Sequence, residues 1–145
     1  MAFADKVAII TGSSTGIGRA IAVKFAGQGA SVSLHGRNEE ALKTTVELCR
    51  KAGLSNDKIL TTTSDVTKEG GVKKLFDATM AKFGRLDLLI AKVYTDTQAL
   101  KFTGASEHIA DTVAFLCGEE SKFITGQRIV VDGGFSLGHK RPAMG

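Results

Sequence analysis

The chain alternates short apolar runs with longer stretches in which apolar residues recur at every third or fourth position. Short apolar runs predict buried β-strands, and the three-to-four spacing predicts helices with one apolar face. The pattern predicts alternating elements, with strands at 7–10, 31–35, 58–63 and 86–91 and helices at 16–28, after Asn38 and after Thr67. Such alternation gives a mostly parallel sheet with helices on both faces.

The pattern is less regular after the fourth strand. The composition of residues 91–103 moderately favours a helix, but without a clear apolar face. Ser106 is suited to cap a further helix. The composition of residues 128–131 predicts a last strand. We predict a doubly wound α/β sheet in the order 3-2-1-4, with the C-terminal strand beside strand 4. Residues 1–145 are predicted to form one domain, with a mobile tail at 135–145.

The first strand leads into a loop with three glycines and then directly into a helix. Glycine allows a sharp turn and the close approach of a ligand, and a helix N-terminus offers unpaired N–H groups with a partial positive charge. This order of elements predicts a site for a pyrophosphate; the alternative is a plain turn. The residues assigned to the site are Gly12, Ser13, Ser14, Thr15, Gly16, Ile17 and Gly18.

Several stretches of the chain resemble the short-chain dehydrogenase/reductase family. Thr11–Gly18 matches the family's Thr-Gly-x-x-x-Gly-x-Gly loop, and Asp65 and Val66 match the place after the third strand where the family contacts adenine. Matches to its fourth strand, its C-terminal strand and the following turn lie at 86–90, 124–126 and 130–134. The resemblance implies a Rossmann-like fold, a nicotinamide dinucleotide cofactor, and hydride transfer to or from a carbonyl or secondary alcohol.

The catalytic segments of the family have no counterpart in the middle of the chain. In the family, the fourth strand runs into Asn-Asn-Ala-Gly, and a Ser and a Tyr-x-x-x-Lys pair carry the chemistry; here Ile90 is followed by Ala-Lys-Val-Tyr. Tyr94 is the only tyrosine, and the residue four positions later is Gln98. The chain therefore resembles an internally truncated member, and we assign no catalytic residue. Tyr94 is an alternative, although a lone tyrosine at a helix start more often packs half-buried.

The residues after the second strand favour NADP(H) over NAD(H). An acidic residue at this place accepts the ribose hydroxyls of NAD, whereas Arg37 stands here and suits a 2′-phosphate. Asn38 is assigned to the same site, where Ser13 and Ser14 are expected to add hydrogen bonds, and Asn38 also suits a helix cap. The alternative is that Arg37 is a solvent-facing turn residue.

Charge and cysteine content narrow the class of partners. The formal net charge is +4 and the pI is about 9.2, but Lys and Arg are spread along the chain, which argues against a nucleic-acid surface. Cys49 and Cys117 fall on inward helix faces and are expected to be reduced, buried thiols rather than a disulfide or metal site. With neither a signal-peptide h-region nor a membrane-length apolar run, we expect a cytoplasmic protein that does not contact membranes.

Three functional hypotheses follow. The first is an NADP-dependent short-chain oxidoreductase, which in this chain is expected to bind cofactor with impaired catalysis. The second is a non-catalytic truncated isoform that pairs with a full-length family subunit, or with itself, through its C-terminal helix and strand. The third is a marginally folded chain, in which Leu88, Leu89 and Ile90 form an exposed apolar edge because the last strand does not dock.

Overall fold

The computed structural model describes residues 1–68, 70–91 and 105–133. The strands in these ranges are β1 (Val7–Ile10), β2 (Ser31–Gly36), β3 (Ile59–Thr63) and β4 (Leu88–Ile90). The helices are α1 (Gly16–Gly27), α2 (Glu39–Lys51), α3 (Gly71–Phe83) and α4 (Ser106–Cys117), with short 3-10 turns at Asn56–Lys58 and Glu119–Ser121. The predicted alternation of strands and helices is confirmed through β4.

The described strands form one parallel sheet in the order β3-β2-β1-β4, which confirms the predicted order. Ala8 of β1 pairs with Val32 of β2 on one side and with Leu88 of β4 on the other. Because all four strands run in the same direction, their carboxyl ends lie at one edge of the sheet. The strand order reverses beside β1, and open α/β sheets bind ligands at such a point.

The two faces of the sheet are covered by different helices. Alternate residues of β1 and β2 point toward α1, α2 and α4, where Phe25 is fully buried and its ring stacks on Phe3 with 4.6 Å between centroids. On the opposite face α3 packs against β3, and Thr79 Oγ1 lies 2.8 Å from Ser33 Oγ of β2. Coverage on both faces explains why β1 is apolar at every position.

Local sequence explains where α2 begins and ends. The side chain of Asn38 caps the helix, since its Oδ1 accepts a hydrogen bond of 3.0 Å from the Ala41 N–H, as predicted. Acidic residues occupy the first turn and basic residues the last turn, so their charges complement the helix dipole. This cap fixes the point at which the chain leaves β2, and it therefore positions the residue before it, Arg37.

Two predicted helix starts are wrong by a few residues. Helix α3 begins at Gly71 rather than after Thr67, because the N–H and hydroxyl of Thr67 donate to Asp65 Oδ1 at 3.0 and 2.6 Å and hold a turn there. Helix α4 has Ala105 rather than Ser106 as its cap, and His108 Nδ1 accepts from the Ala105 N–H at 3.2 Å. Asp65 and Thr67 thus form a turn before α3, whereas His108 caps the helix to which it belongs.

The prediction of a C-terminal strand is wrong. Residues 128–131 are described but form no strand, and Ile129, Val130 and Val131 remain 40–56% exposed. Strand β4, beside which they were expected, is only three residues long, and its Leu89 side chain is 65% exposed. A strand orders only where ladder hydrogen bonds and burial offset the lost backbone entropy, and so short an edge provides little of either.

Helix α4 is the part of the C-terminal region that packs on the sheet. It lies against α1, with Ala110 and Ala114 buried in the same core and an ion pair of 2.7 Å between Lys24 Nζ and Asp111 Oδ1. Residues 122–131, which follow the 3-10 turn, are exposed, and Phe123 is exposed over its whole side chain. The contact between α1 and α4 therefore attaches the C-terminal region to the rest of the fold.

Other expectations concern thiols, membranes and residues outside the described ranges. Cys49 is a buried free thiol, as predicted, whereas Cys117 is a free thiol that is half-buried rather than buried. None of the helices in the described ranges is long and apolar enough to cross a bilayer. Tyr94, Gln98, most of the predicted helical stretch at 91–103 and the predicted tail at 135–145 lie outside the described residues.

Candidate functional site

The glycine loop adopts a conformation that depends on its glycines. Gly12 and Gly16 have positive φ angles of 64° and 55°, which side chains with a Cβ rarely adopt. Gly18 lies so close to the loop that a Cβ there would be 2.3 Å from the Gly12 carbonyl oxygen. The first turn of α1 therefore packs directly on the end of β1, and only glycine at position 18 permits that contact.

Ser13 holds the loop against β2. Its side chain is fully buried, its N–H donates to the His35 carbonyl at 2.9 Å, and its hydroxyl oxygen accepts from the His35 N–H at 2.9 Å. The Ser13 hydroxyl also lies 3.2 Å from the His35 carbonyl oxygen, to which it can donate. This side chain is therefore engaged inside the fold rather than presented to a ligand.

The part of the loop that faces solvent is Thr15 and Gly16 at the start of α1. Thr15 occupies the cap position of α1 without a side-chain capping hydrogen bond. The first N–H groups of a helix have no partner within the helix, and the helix dipole adds partial positive charge at this end. An anion at this place thus meets backbone donors that no side-chain cap occupies.

A buried network joins the loop to α2. The Arg19 guanidinium, on α1, donates to the carbonyl oxygen of Ser14, to that of Ala41 at 3.2 Å, and to Thr45 Oγ1 at 3.0 Å. Thr45, fully buried, donates in turn to the Ser13 carbonyl oxygen at 2.8 Å. No sequence motif predicted that the side chains of Arg19 and Thr45 would meet.

Arg37 and Asn38 lie at the carboxyl end of β2, beside the loop. Both are exposed, and Arg37 is therefore accessible to a ligand. Gly36 before them packs against Ser14, because a Cβ at position 36 would lie 1.9 Å from Ser14 Oγ. The close packing of Gly36 and Ser14 places the N-terminus of α2 next to the glycine loop.

Asp65 and Val66 follow β3 at the same edge of the sheet and are partly buried. Hydrogen bonds from the hydroxyl and N–H of Thr67 hold the pKa of the Asp65 carboxyl below its usual range, and the charges of Lys68 and Arg37 act in the same direction. Asp65 is thus a carboxylate at neutral pH. Gly36 of β2 pairs with Thr63 of β3, so Arg37 and Asp65 follow neighbouring strand ends at one edge of the sheet.

The structure therefore brings the predicted site residues to one edge of the sheet, around the carboxyl ends of β1, β2 and β3. Sequence reasoning missed the supporting residues Arg19, Thr45 and His35. One signal was present for Thr45, since a threonine on the otherwise apolar inward stripe of α2 needs a hydrogen-bond partner in the core. Within the described ranges no group of three His, Cys, Asp or Glu side chains is placed to hold a metal ion.

The family model for short chain dehydrogenases matches residues 6–114, more than half of the chain. The protein belongs to the short-chain dehydrogenase/reductase family. One similar curated protein is the 11-beta-hydroxysteroid dehydrogenase A of Sesamum indicum, 39% identical over 87 residues. The match covers 60% of this chain and 24% of that protein, so the chain corresponds to about a quarter of its relative's length.

Solved structures of short-chain dehydrogenases also resemble this chain over part of their length. The apo-form of the glucose dehydrogenase of Caenorhabditis elegans superimposes with a TM-score of 0.63 and 37% identity, over 85% of this chain and 47% of that one. A short chain dehydrogenase/reductase from Burkholderia phymatum, solved in complex with NAD, gives a TM-score of 0.55 and 38% identity over 61% of this chain and 31% of that one. The Rossmann-like fold is thereby confirmed.

Proposed function

We propose that this chain binds a nicotinamide dinucleotide, with the pyrophosphate at the loop from Gly12 to Gly18. The observation that carries the proposal is the contact of Gly18 with Gly12, at a position where a Cβ would lie 2.3 Å from the Gly12 oxygen. This contact brings the start of α1 against the end of β1 and leaves its first N–H groups at the reversal of strand order. Membership in a family of dehydrogenases supports the same cofactor class.

We further propose that NADP(H) is preferred over NAD(H). Arg37 is exposed at the end of β2, where it can pair with a 2′-phosphate, and the preceding Gly36 offers no carboxylate to the ribose hydroxyls. Ser14 and Asn38 are proposed to add polar contacts to the same phosphate, and Asp65 and Val66 to contact the adenine. The competing interpretation, that Arg37 only faces solvent, predicts equal affinity for both cofactors.

A titration with both cofactors tests this preference. NADPH is expected to bind more tightly than NADH, and Arg37→Ala to weaken NADPH binding by about tenfold, the effect of losing one charge-assisted contact, with NADH binding unchanged. Arg50→Ala is the matched control, because Arg50 is also exposed but lies in the last turn of α2 and pairs with Glu47. Equal affinity for both cofactors, or no effect of Arg37→Ala, contradicts the assignment.

We propose that catalysis is impaired in this chain. The family's Ser and Tyr-x-x-x-Lys pattern is absent, and a positioned proton donor contributes about 10²- to 10⁴-fold to such a reaction. A mixture of NADPH with a panel of ketones is expected to show no steady oxidation. Steady turnover that is abolished by Tyr94→Phe would restore the enzyme hypothesis and assign the proton donor.

A second candidate function is pairing with a full-length family subunit or with another copy of this chain. The observation that favours it is exposed apolar surface in two places: Phe123 and Val130 in the segment after α4, and Leu89 in β4, are all more than half exposed. Such surface is typical of interaction sites. Co-expression with a full-length homologue is expected to give a stable mixed species on size-exclusion chromatography. Separate elution of the two chains, with this chain at the size of a monomer, contradicts this proposal and leaves cofactor binding unaffected.

A further inference from the structure

We propose that Arg19 is a positioning residue, which orients the N–H groups of the glycine loop toward the bound phosphates. The inference rests on the proposed dinucleotide function and adds a residue that does not itself touch the cofactor. Its guanidinium lies between the loop and α2, where its donors reach Ser14, Ala41 and Thr45. A planar guanidinium with several fixed donors is suited to hold two backbone segments together.

Arg19 and Thr45 turn two consecutive loop carbonyls toward the protein interior. The Ser13 carbonyl accepts from Thr45 Oγ1 at 2.8 Å, and the Ser14 carbonyl accepts from Arg19. In a trans peptide the C=O and the N–H of the next residue point in opposite directions. The N–H groups of Ser14 and Thr15 therefore point outward, toward the solvent-facing side of the loop where an anion can accept from them.

The same guanidinium fixes the loop relative to α2. Ala41, whose carbonyl accepts from Arg19 at 3.2 Å, lies in the first turn of α2, and its N–H is capped by Asn38. Arg37 directly precedes that cap. Arg19 thus connects the proposed pyrophosphate site to the turn that carries the proposed 2′-phosphate contact, and it sets the distance between the two.

Two substitutions remove this network in different ways, and each has a matched control. Arg19→Met removes the guanidinium, with Lys24→Met as its control because Lys24 is a partly exposed cation on the same helix that pairs with Asp111. Thr45→Val removes one buried hydroxyl, with Thr79→Val as its control. Thr45 and Thr79 are both fully buried, and each donates its hydroxyl to a backbone carbonyl at 2.8 Å, Thr45 to Ser13 of the loop and Thr79 to Leu75 of its own helix. Thr79 lies on the opposite face of the sheet.

The experiment measures the Kd of NADPH by calorimetry and the Tm of each variant, at a temperature at which circular dichroism shows all of them folded. Thr45→Val is expected to raise the Kd about tenfold, the effect of losing one hydrogen-bond contribution. Arg19→Met is expected to raise it at least as much, because it removes three donors. Thr79→Val is expected to lower the Tm about as much as Thr45→Val without changing the Kd. If Arg19→Met does not fold, the two threonine variants decide the question alone.

The outcomes separate this inference from the proposed function. A wild-type chain that binds neither NADPH nor NADH overturns the proposed function and the role of Arg19 with it. If the wild type binds NADPH, and Arg19→Met and Thr45→Val bind it equally well, only the role of Arg19 is overturned. An equal loss of affinity in Thr45→Val and Thr79→Val also overturns it, because it shows a general loosening of the fold.

Discussion

Strands β1 and β4 are neighbours in one sheet, yet their surroundings differ. All four residues of β1 are buried, with at most 4% exposure, whereas Leu89 in the middle of β4 is 65% exposed. Strand β1 has a paired strand on each side and helices on both faces, while β4 pairs only with β1 among the described residues. The proposed cofactor loop therefore follows the strand that is buried and paired on both sides.

A similar difference in burial separates the N-terminal unit, β1 to α2, from the segment after α4. Apolar residues of the first unit form the core around Phe25, whereas those from Phe123 to Val131 remain largely exposed. Apolar composition alone therefore does not decide burial. The decisive factor is whether neighbouring elements cover the segment, and the site lies where that coverage is complete.

The largest difference is expected when one phenylalanine of each region is truncated. Phe25→Ala should lower the free energy of unfolding by about 3–5 kcal/mol, because the residue is fully buried and stacked on Phe3. Phe123→Ala should change it by less than about 0.5 kcal/mol, because this side chain is fully exposed. Urea denaturation measures both. Similar losses in the two variants would show that the C-terminal segment is buried in solution.

Two glycines of α1 give a smaller contrast within the N-terminal unit. Gly18→Ala should destabilise the fold by about 1–3 kcal/mol and abolish NADPH binding, since its Cβ would clash with the Gly12 backbone. Gly27→Ala should be neutral or slightly stabilising, because its Cβ meets only ordinary contacts at 3.8 Å or more and alanine favours helices. Thermal unfolding and calorimetric titration measure the two effects. A Gly18→Ala variant that binds NADPH normally would contradict the proposed loop geometry.

Asp87 connects the start of β4 to β1, and its contribution should depend on pH. Its carboxylate accepts from the Val7 N–H at 2.9 Å and from Arg85, and these contacts, Arg85 first, hold its pKa below the usual range. A lowered folded-state pKa means that the stabilisation is complete above the pKa of the unfolded chain, about 3.9, and is lost as the pH falls through the lower folded value.

The matching measurement compares the wild type with Asp87→Asn by urea denaturation at several pH values. The difference in free energy of unfolding should be constant above about pH 5 and should shrink toward pH 2 to 3. Arg128→Gln, in the exposed C-terminal segment, is the control and should show no such trend. A difference that grows as the pH falls would contradict the assigned direction of the pKa shift.

The smallest expected effect is a difference in labelling rate between the two cysteines. Labelling tests the burial of each thiol without any substitution. Burial raises the pKa of Cys49 to about 11 and also raises the pKa of Cys117, so few thiolates exist at pH 8. Cys49 is fully buried and should react with iodoacetamide only when the chain unfolds, whereas the half-buried Cys117 should react sooner. Mass spectrometry of the labelled peptides measures the order. Faster labelling of Cys49 would contradict the packing of α2.

The sequence predicted much of the fold because its apolar periodicity and glycine positions are local signals. The loop from Gly12 to Gly18, the cap at Asn38 and the strand order all follow from such signals and from the rules of parallel sheets. The absence of a strand at residues 128–131 could not be predicted locally, because these residues have strand composition and differ only in pairing with no strand among those described. The position of Arg19 also depends on tertiary packing, since its contacts join segments distant in the chain.

The most direct test of the central claim is an NMR titration of the ¹⁵N-labelled protein with NADPH, in which the amide signals report each region separately. Signals of Gly12 to Gly18, Arg37, Asn38 and Asp65 are expected to shift in a saturable manner, while those of residues 122–131 remain in place. This result would locate the cofactor at the end of the buried strand β1. The absence of shifts in the glycine loop, or shifts confined to the C-terminal segment, would contradict the account.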